Sequence, residues 1–393
     1  MRRLVQLVLF LTAAALFFIS CQDDPSPVGA DQLPDKDKFN FDTLNTQITP
    51  VTQNSSFFID SVDLGAAEKV FLGKTNDITS TLLLRFLMLL PDSVAVEVDS
   101  GNINLLESWI ELEPISTLGD NASAFDFTVH KIEEEWLPSN FGVDSLGNLA
   151  VGLEDISGTS TITDSLITVP IETSIVNTWI VNRLETPTTT NFGMVLKPTA
   201  GTNHIKIFEG IAITSTKVPV LKVIVKKTGG FTDTLDLPIN ADVHVADIEL
   251  PVIVDDTIIL QGGLAAGGKI FFDLEGVIPQ NASANSARLV LTVDTLNSSY
   301  PASGADGINY NMLSDSTNND AATQFGTLQL RREGDKYVDD SFIQFFNRWL
   351  NGEANEGIML KIDNEKSSLS RIKIYGSSSD VSLRPKLIVT YSF

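Results

Sequence analysis

The sequence predicts an all-β fold arranged as two tandem antiparallel β-sandwiches, each with one short helix. Three observations carry this. Short apolar runs, several alternating in polarity with period two, recur along the chain between clusters of Gly, Asn, Asp, Ser and Pro. A set of segments from the first half returns in the same order in the second. Only two stretches show helical spacing.

The runs include Thr81–Met88, Trp109–Leu112, Phe125–Ile132, Gly193–Leu196, Ile205–Phe208 and Val220–Val225. Strands of this length bury one face most readily by stacking two sheets. At 43% apolar residues the chain is rich enough for sizeable cores.

The repeats divide the chain. NFGMVLK at Asn191–Lys197 matches NEGIMLK at Asn355–Lys361, and IKIFEG from Ile205 matches IKIYGS from Ile372. VPVLKVIV from Val218 matches RPKLIVTY from Arg384, and VNTWI from Val176 matches FNRWL from Phe346. LLLRF ending at Phe86 aligns with IFFDL ending at Leu274, and SWIEL from Ser108 with ARLVL from Ala287. An ordered set of this kind indicates duplication. It places a first sandwich over residues 55–228, a linker over 229–236 and a second sandwich over 237–393.

Within each copy, LLLRF and IFFDL read as sheet centres, with Pro91 and Pro279 marking where pairing stops. Asn191-x-Gly193 and Asn355-x-Gly357 read as tight turns into the next strand. Pro219 and Pro385 stand at the start of the last strands, where a missing N–H costs least. The helix of the second copy places Phe342, Phe345, Phe346, Trp349 and Leu350 on one face, with Asp340 as N-cap and Gly352 after the last turn. Ile175, Val176, Trp179 and Ile180 are its counterparts, and each helix is expected to plug an open end of its sandwich with the tryptophan.

The N-terminus reads as a signal peptide over residues 1–20: Arg2 and Arg3, then an apolar run from Leu4 to Ile19. Cys21, the single cysteine, has no partner for an internal disulfide. The segment FFISC resembles a bacterial lipoprotein signal, which implies diacylglycerol on Cys21 and a stable membrane anchor. Asp23-Asp24 resembles the acidic surface-export signal of Bacteroidetes lipoproteins and implies the outer membrane, facing the cell exterior. Residues 21–54, with Pro25, Pro27, Pro34 and a DKDK run, are expected to form a flexible tether.

The glycine-led GIMLK strand, SARLVL, and the closing SSxxxxRPKLIVTY (Ser378, Ser379, Arg384–Tyr391) resemble the DNRLRE-type domain of bacterial extracellular proteins. The second copy is the better match; Val218 and Val225 replace Arg384 and Tyr391 in the first. The resemblance implies a jelly-roll-like sandwich related to carbohydrate-binding modules, and glycan binding or passive surface attachment.

Acidic residues number 50 against 27 basic, a formal charge of −23 that repels phosphate backbones and excludes nucleic acid as a partner. No GxSxG, P-loop or dinucleotide-binding glycine pattern occurs. His130 and His244 lie in strand texture, without metal-ligand spacing, and His204 beside Asn203 reads as an exposed turn residue. Glu133-Glu134-Glu135 reads as a solvated run. No cofactor is implied except structural calcium, for which Asp255, Asp256, Asp315 and Asp320 are the loop carboxylates.

Aromatics are the binding candidates, because sugar rings stack on exposed aromatic faces. If Ile110 and Leu112 point inward, Trp109 and Glu111 point outward. Trp136, Tyr300 and Tyr310 join them, the tyrosines in a polar loop over 297–319. The expected function is non-catalytic: a lipid-anchored protein that binds polysaccharide or serves adhesion. A structural envelope or assembly protein engaging another protein is the alternative, and a polysaccharide-active enzyme the third.

Overall fold

The computed structural model describes residues 40–60, 64–65, 67–185, 190–251, 256–279, 281–322 and 326–393. Cys21, Asp23, Asp24 and Asp255 lie outside them. The chain forms two antiparallel β-sandwiches.

The first holds β3 (Lys69–Lys74), β4 (Ile78–Phe86), β5 (Ile103–Leu112), β6 (Ser116–Gly119), β7 (Phe127–Lys131), β8 (Thr161–Ile162), β9 (Ile167–Pro170), β10 (Met194–Pro198), β11 (His204–Glu209), β12 (Val220–Lys227) and β13 (Thr232–Ile248). One layer runs β6-β11-β3-β4-β13, and the other β13-β12-β5-β9-β8. β13 serves both. Its first half forms a hairpin with β12; past an irregularity between Ile239 and Ala241 it pairs with β4. A bulge bends a strand in this way and lets it turn a corner between sheets. Leu82, Leu84 and Phe86 of β4 share the core between the layers with Ile110, Leu112, Leu221 and Val223.

The second sandwich holds β1 (Phe41–Asn45), β2 (Gln53–Ile59), β14 (Ile258–Gln261), β15 (Ala266–Phe272), β16 (Ser283–Thr292), β17 (Ile308–Asp315), β18 (Asp320–Ala321), β19 (Leu328–Glu333), β20 (Lys336–Asp339), β21 (Ile358–Ile362), β22 (Arg371–Ile374) and β23 (Lys386–Ser392). Much of its pairing repeats the first: β14 with β15 as β3 with β4, β21 with β15 and β17 as β10 with β4 and β7, and β23 with β16 as β12 with β5; the pairing of β17 with β19 has no counterpart between β7 and β8. The Asn-x-Gly turns coincide as well. Asn191 donates its amide to the Phe86 carbonyl at 2.9 Å and Asn355 to that of Phe272 at 2.8 Å. Gly193 and Gly357 take φ of +84° and +87° against the carbonyls of Leu84 and Ile270. Only the glycines are left-handed; the asparagines act by hydrogen bonding.

Several boundaries differ from the sequence reading. Residues 41–59 are no part of a tether or of the first sandwich, because β1 pairs with β23 and β2 with β15. The 229–236 linker is a turn followed by the opening of β13, and that strand, not the second sandwich, occupies residues 237–248. These segments are polar and alternating, and their partners lie far away in sequence. Phe86 corresponds to Phe272, so LLLRF aligns with Gly268–Phe272, two residues before IFFDL. Gly210 corresponds to Gly376, which shifts the IKIFEG match by one. Each glycine packs against backbone that a Cβ would strike: the Ala67 carbonyl in one copy, that of Asp256 in the other.

The helices carry their apolar faces inward. α3 (Thr173–Val181) buries Val176, Trp179 and Ile180, and α4 (Ile343–Leu350) sets Phe345 and Phe346 in the second core with Trp349 half-buried. The first sandwich has two further helices, α1 (Asp92–Asp99) and α2 (Val143–Asn148). Asp340 is not the cap of α4; it pairs with Arg288 and Arg331.

The two sandwiches touch. Leu369 of the second joins Phe71, Ile78 and Ile207 of the first in one apolar cluster. Arg371, almost fully buried, donates to Gln261 Oε1 at 2.8 Å and the Glu249 carbonyl at 2.9 Å, and pairs with Asp77.

Candidate functional site

β5 alternates as its sequence requires: Ser108, Ile110 and Leu112 are buried, while Trp109 and Glu111 lie on the outer face, half-exposed. Trp109 stands between Pro170 of β9 and Lys222 of β12. Its indole donates to Glu111 Oε1 at 2.9 Å, which fixes the ring. Glu111 lies 3.7 Å from Lys222, whose ammonium also contacts Asp236 at 3.0 Å. The Asp236 hydrogen bond, more than the nearby Glu111 charge, raises the Lys222 pKa. Beside the ring, Leu106, Ser108, Thr168, Pro170, Ile171 and Thr173 line a shallow cleft of about 470 Å³. An immobilised aromatic next to carboxylate, ammonium and hydroxyl groups can stack a ring and orient its polar substituents. Arg288, the counterpart of Trp109 in the second sandwich, pairs with Glu333 and Asp340, so only the first has this platform.

The other aromatics are placed differently. Trp136 is a core residue, edge-on to Phe141, with its indole donated to the Phe192 carbonyl at 2.7 Å. Tyr310 sits in β17 rather than in a loop; its ring is fully buried against Phe342 and Phe345 and its hydroxyl bonds Asp339. An alternating strand of Asn and Tyr had the texture of a loop. Tyr300 is half-buried beneath Arg332, which lies 4.7 Å from its ring centroid.

Of the carboxylates proposed for calcium, that of Asp315 is engaged by the chain. Asp315 accepts the Thr317 and Asn318 amides at 2.7 and 3.3 Å, hydrogen bonds that lower its pKa, and Asp320 opens β18 opposite it. Among the described residues no group of three or more His, Cys, Asp or Glu is disposed to hold a metal ion.

A second site was not legible in the sequence. His204 is buried, not exposed in a turn, and stacks on Phe125 with centroids 5.1 Å apart. With Asn121, Ser123, Asp164 and Lys206 it lines a cleft of about 410 Å³. Ser123 gives its one hydroxyl proton to the Asp120 carbonyl at 2.6 Å, so its contact with His204 Nδ1 at 3.1 Å must be accepted from the ring. Nδ1 is then the protonated nitrogen, and Nε2 is left as a buried acceptor without a partner. That polarity is the reverse of a serine activated by a general base. Burial, helped by the Lys206 charge, lowers the His204 pKa; burial also lowers that of Lys206. The sequence signal was the alternation His204, Lys206, Phe208 along β11.

Fold and surface together define an all-β, two-sandwich protein bearing one aromatic platform on an outer sheet face. Comparison with protein-family models, with curated proteins and with solved structures finds no match. Among the described residues no helix is long and apolar enough to cross a membrane.

Proposed function

We propose that this chain is a non-catalytic, lipid-anchored protein of the outer membrane that binds polysaccharide at the cell surface through Trp109. The observation that carries the reading is the Trp109 platform: an indole held by Glu111 on an outer sheet face, flanked by Lys222, Asp236 and Thr168. The signal-like N-terminus and Cys21 support the anchor, and Asp23-Asp24 the exterior face. The resemblance of the second copy to DNRLRE-type domains supports a carbohydrate-linked role. Assembly with another envelope protein through the same face is the alternative.

The test is an array of bacterial, algal and plant polysaccharides probed with residues 21–393 carrying Cys21→Ser, with and without calcium. W109A and K206M run beside it. Saturable binding to one glycan class, lost in W109A and kept in K206M, is expected. Loss in K206M alone moves the site to the His204 cleft, and absence of binding to any glycan refutes the reading.

A further inference from the structure

The leading strands of the two copies have changed places. β13 opens the second copy in sequence, yet it completes the first sandwich. Its place in the second is filled from the other end of the chain, by β1 and β2. The correspondence holds at both ends of the element, with four more residues between them in 41–59 than in 232–248. Leu235 stands opposite Val223 of β12, and Leu44 opposite Val389 of β23. Asp42-Thr43-Leu44 repeats as Asp233-Thr234-Leu235. Asp242 accepts the Ile211 amide after Gly210 at 2.7 Å, and Ser55 accepts the Ser377 amide after Gly376 at 2.8 Å. Residues 41–59 and 232–248 are therefore the same element.

The exchange is not free to reverse. β13 is tied to β12 by a short turn at Thr228–Phe231, so the leading-strand place of the first sandwich is taken. β23, the counterpart of β12, takes β1 as its partner where β12 takes β13. Residues 41–59 fill the corresponding place in the second sandwich, to which they contribute Leu44, Val51 and Phe58. There they lie at the sheet margins: among the described strands β1 pairs with β23 alone and β2 with β15 alone. Residues 60–68 alone join them covalently to the first sandwich.

An acceptor filled by a peripheral segment of its own chain offers the same contacts to that segment from another copy. Cis closure wins only through the effective concentration that the connection confers. We propose that residues 41–59 are a donor segment exchangeable between copies, closing the second sandwich within one chain or joining a second copy head to tail. Such a contact is heterologous and extends into a row unless it closes.

The test uses residues 21–393 with Cys21→Ser, which contain no other cysteine. Thr43 and Thr390 face each other across β1 and β23, within reach of a disulfide. T43C and T390C chains bearing different tags are unfolded, refolded together and oxidised. T43C with L153C, a fully exposed site in the first sandwich, is the control. The expected result is a T43C–T390C heterodimer at several times the control level, rising with protein concentration, and complete intrachain closure in the T43C/T390C double variant. Heterodimer no higher than control, with the double variant closing, overturns exchange. Failure of the double variant to close overturns the pairing on which the proposal rests.

Discussion

Asp242 is fully buried on β13, with the Ile211 amide on Oδ2 and no partner on Oδ1. Burial pushes its pKa up from 3.8 to about 6, against the opposing pull of the Ile211 N–H. The folded state therefore holds this proton more tightly than the unfolded chain. Between pH 3.8 and about 6 stability falls as pH rises; below the window there is no penalty, and above it the penalty is constant. At roughly 1.4 kcal/mol per unit, two units correspond to about 3 kcal/mol. D242N keeps the acceptor for Ile211 and removes the titration. Its amide replaces the unpartnered Oδ1 at a cost that does not depend on pH, so the difference between pH values is the quantity to measure. Urea unfolding followed by tryptophan fluorescence, to which Trp109, Trp136 and Trp179 contribute from the first sandwich, should show D242N gaining about 2 kcal/mol on the wild type between pH 4 and pH 7, since part of the window lies below pH 4. An equal difference between the two proteins at both pH values would refute the assignment of a buried, titrating carboxylate.

Other perturbations probe the same framework. His244 is fully buried, and burial lowers its pKa from 6.5 to about 3, so its neutral form favours the fold above pH 6.5 and stability is lost as pH falls through that window. H244L should recover about 2 kcal/mol at pH 5 relative to pH 8 in the same assay. G357A forces a Cβ to 2.5 Å from the Ile270 carbonyl at a φ of +87°; calorimetry should show the second sandwich losing at least about 2 kcal/mol. R371M strands Gln261 and the partly exposed Asp77, and should cost about 2 kcal/mol while uncoupling the calorimetric transitions of the two sandwiches.

The parts of this fold that were legible in the sequence are those whose signal is local. The alternation through Trp109 and Glu111 gave their outward direction correctly, since period two dictates the faces of a strand. The α3 and α4 faces were equally plain. What escaped depends on partners distant in sequence. β1 and β2 look like spacer because their apolar residues are sparse, and only β15 and β23 give them a sheet to join. Tyr310 looked available because loop-like neighbours surround it, and Trp136 because it follows the acidic run Glu133–Glu135, whereas their burial comes from Phe342 and Phe345 and from Phe141 and Phe192. His204 was missed for the opposite reason: Asn203 beside it suggested a turn, and the stacking partner Phe125 is far along the chain.

Asn40, the first described residue, meets Phe393: the Asn40 amide donates to the Phe393 carbonyl at 3.1 Å, and the Phe393 amide to that of Asn40 at 3.0 Å. The described strands thus form, topologically, a two-member ring open between β23 and β1. Joining residue 393 to residue 40 and reopening the ring between β13 and β14 gives a circular permutant in which β14–β23 is followed directly by β1–β2, then β3–β12 by β13. Each sandwich is then continuous in sequence, with every pairing described above unchanged. Interleaving is a property of where the ring was cut, and a further unit can be spliced in at that cut without altering the sheets on either side.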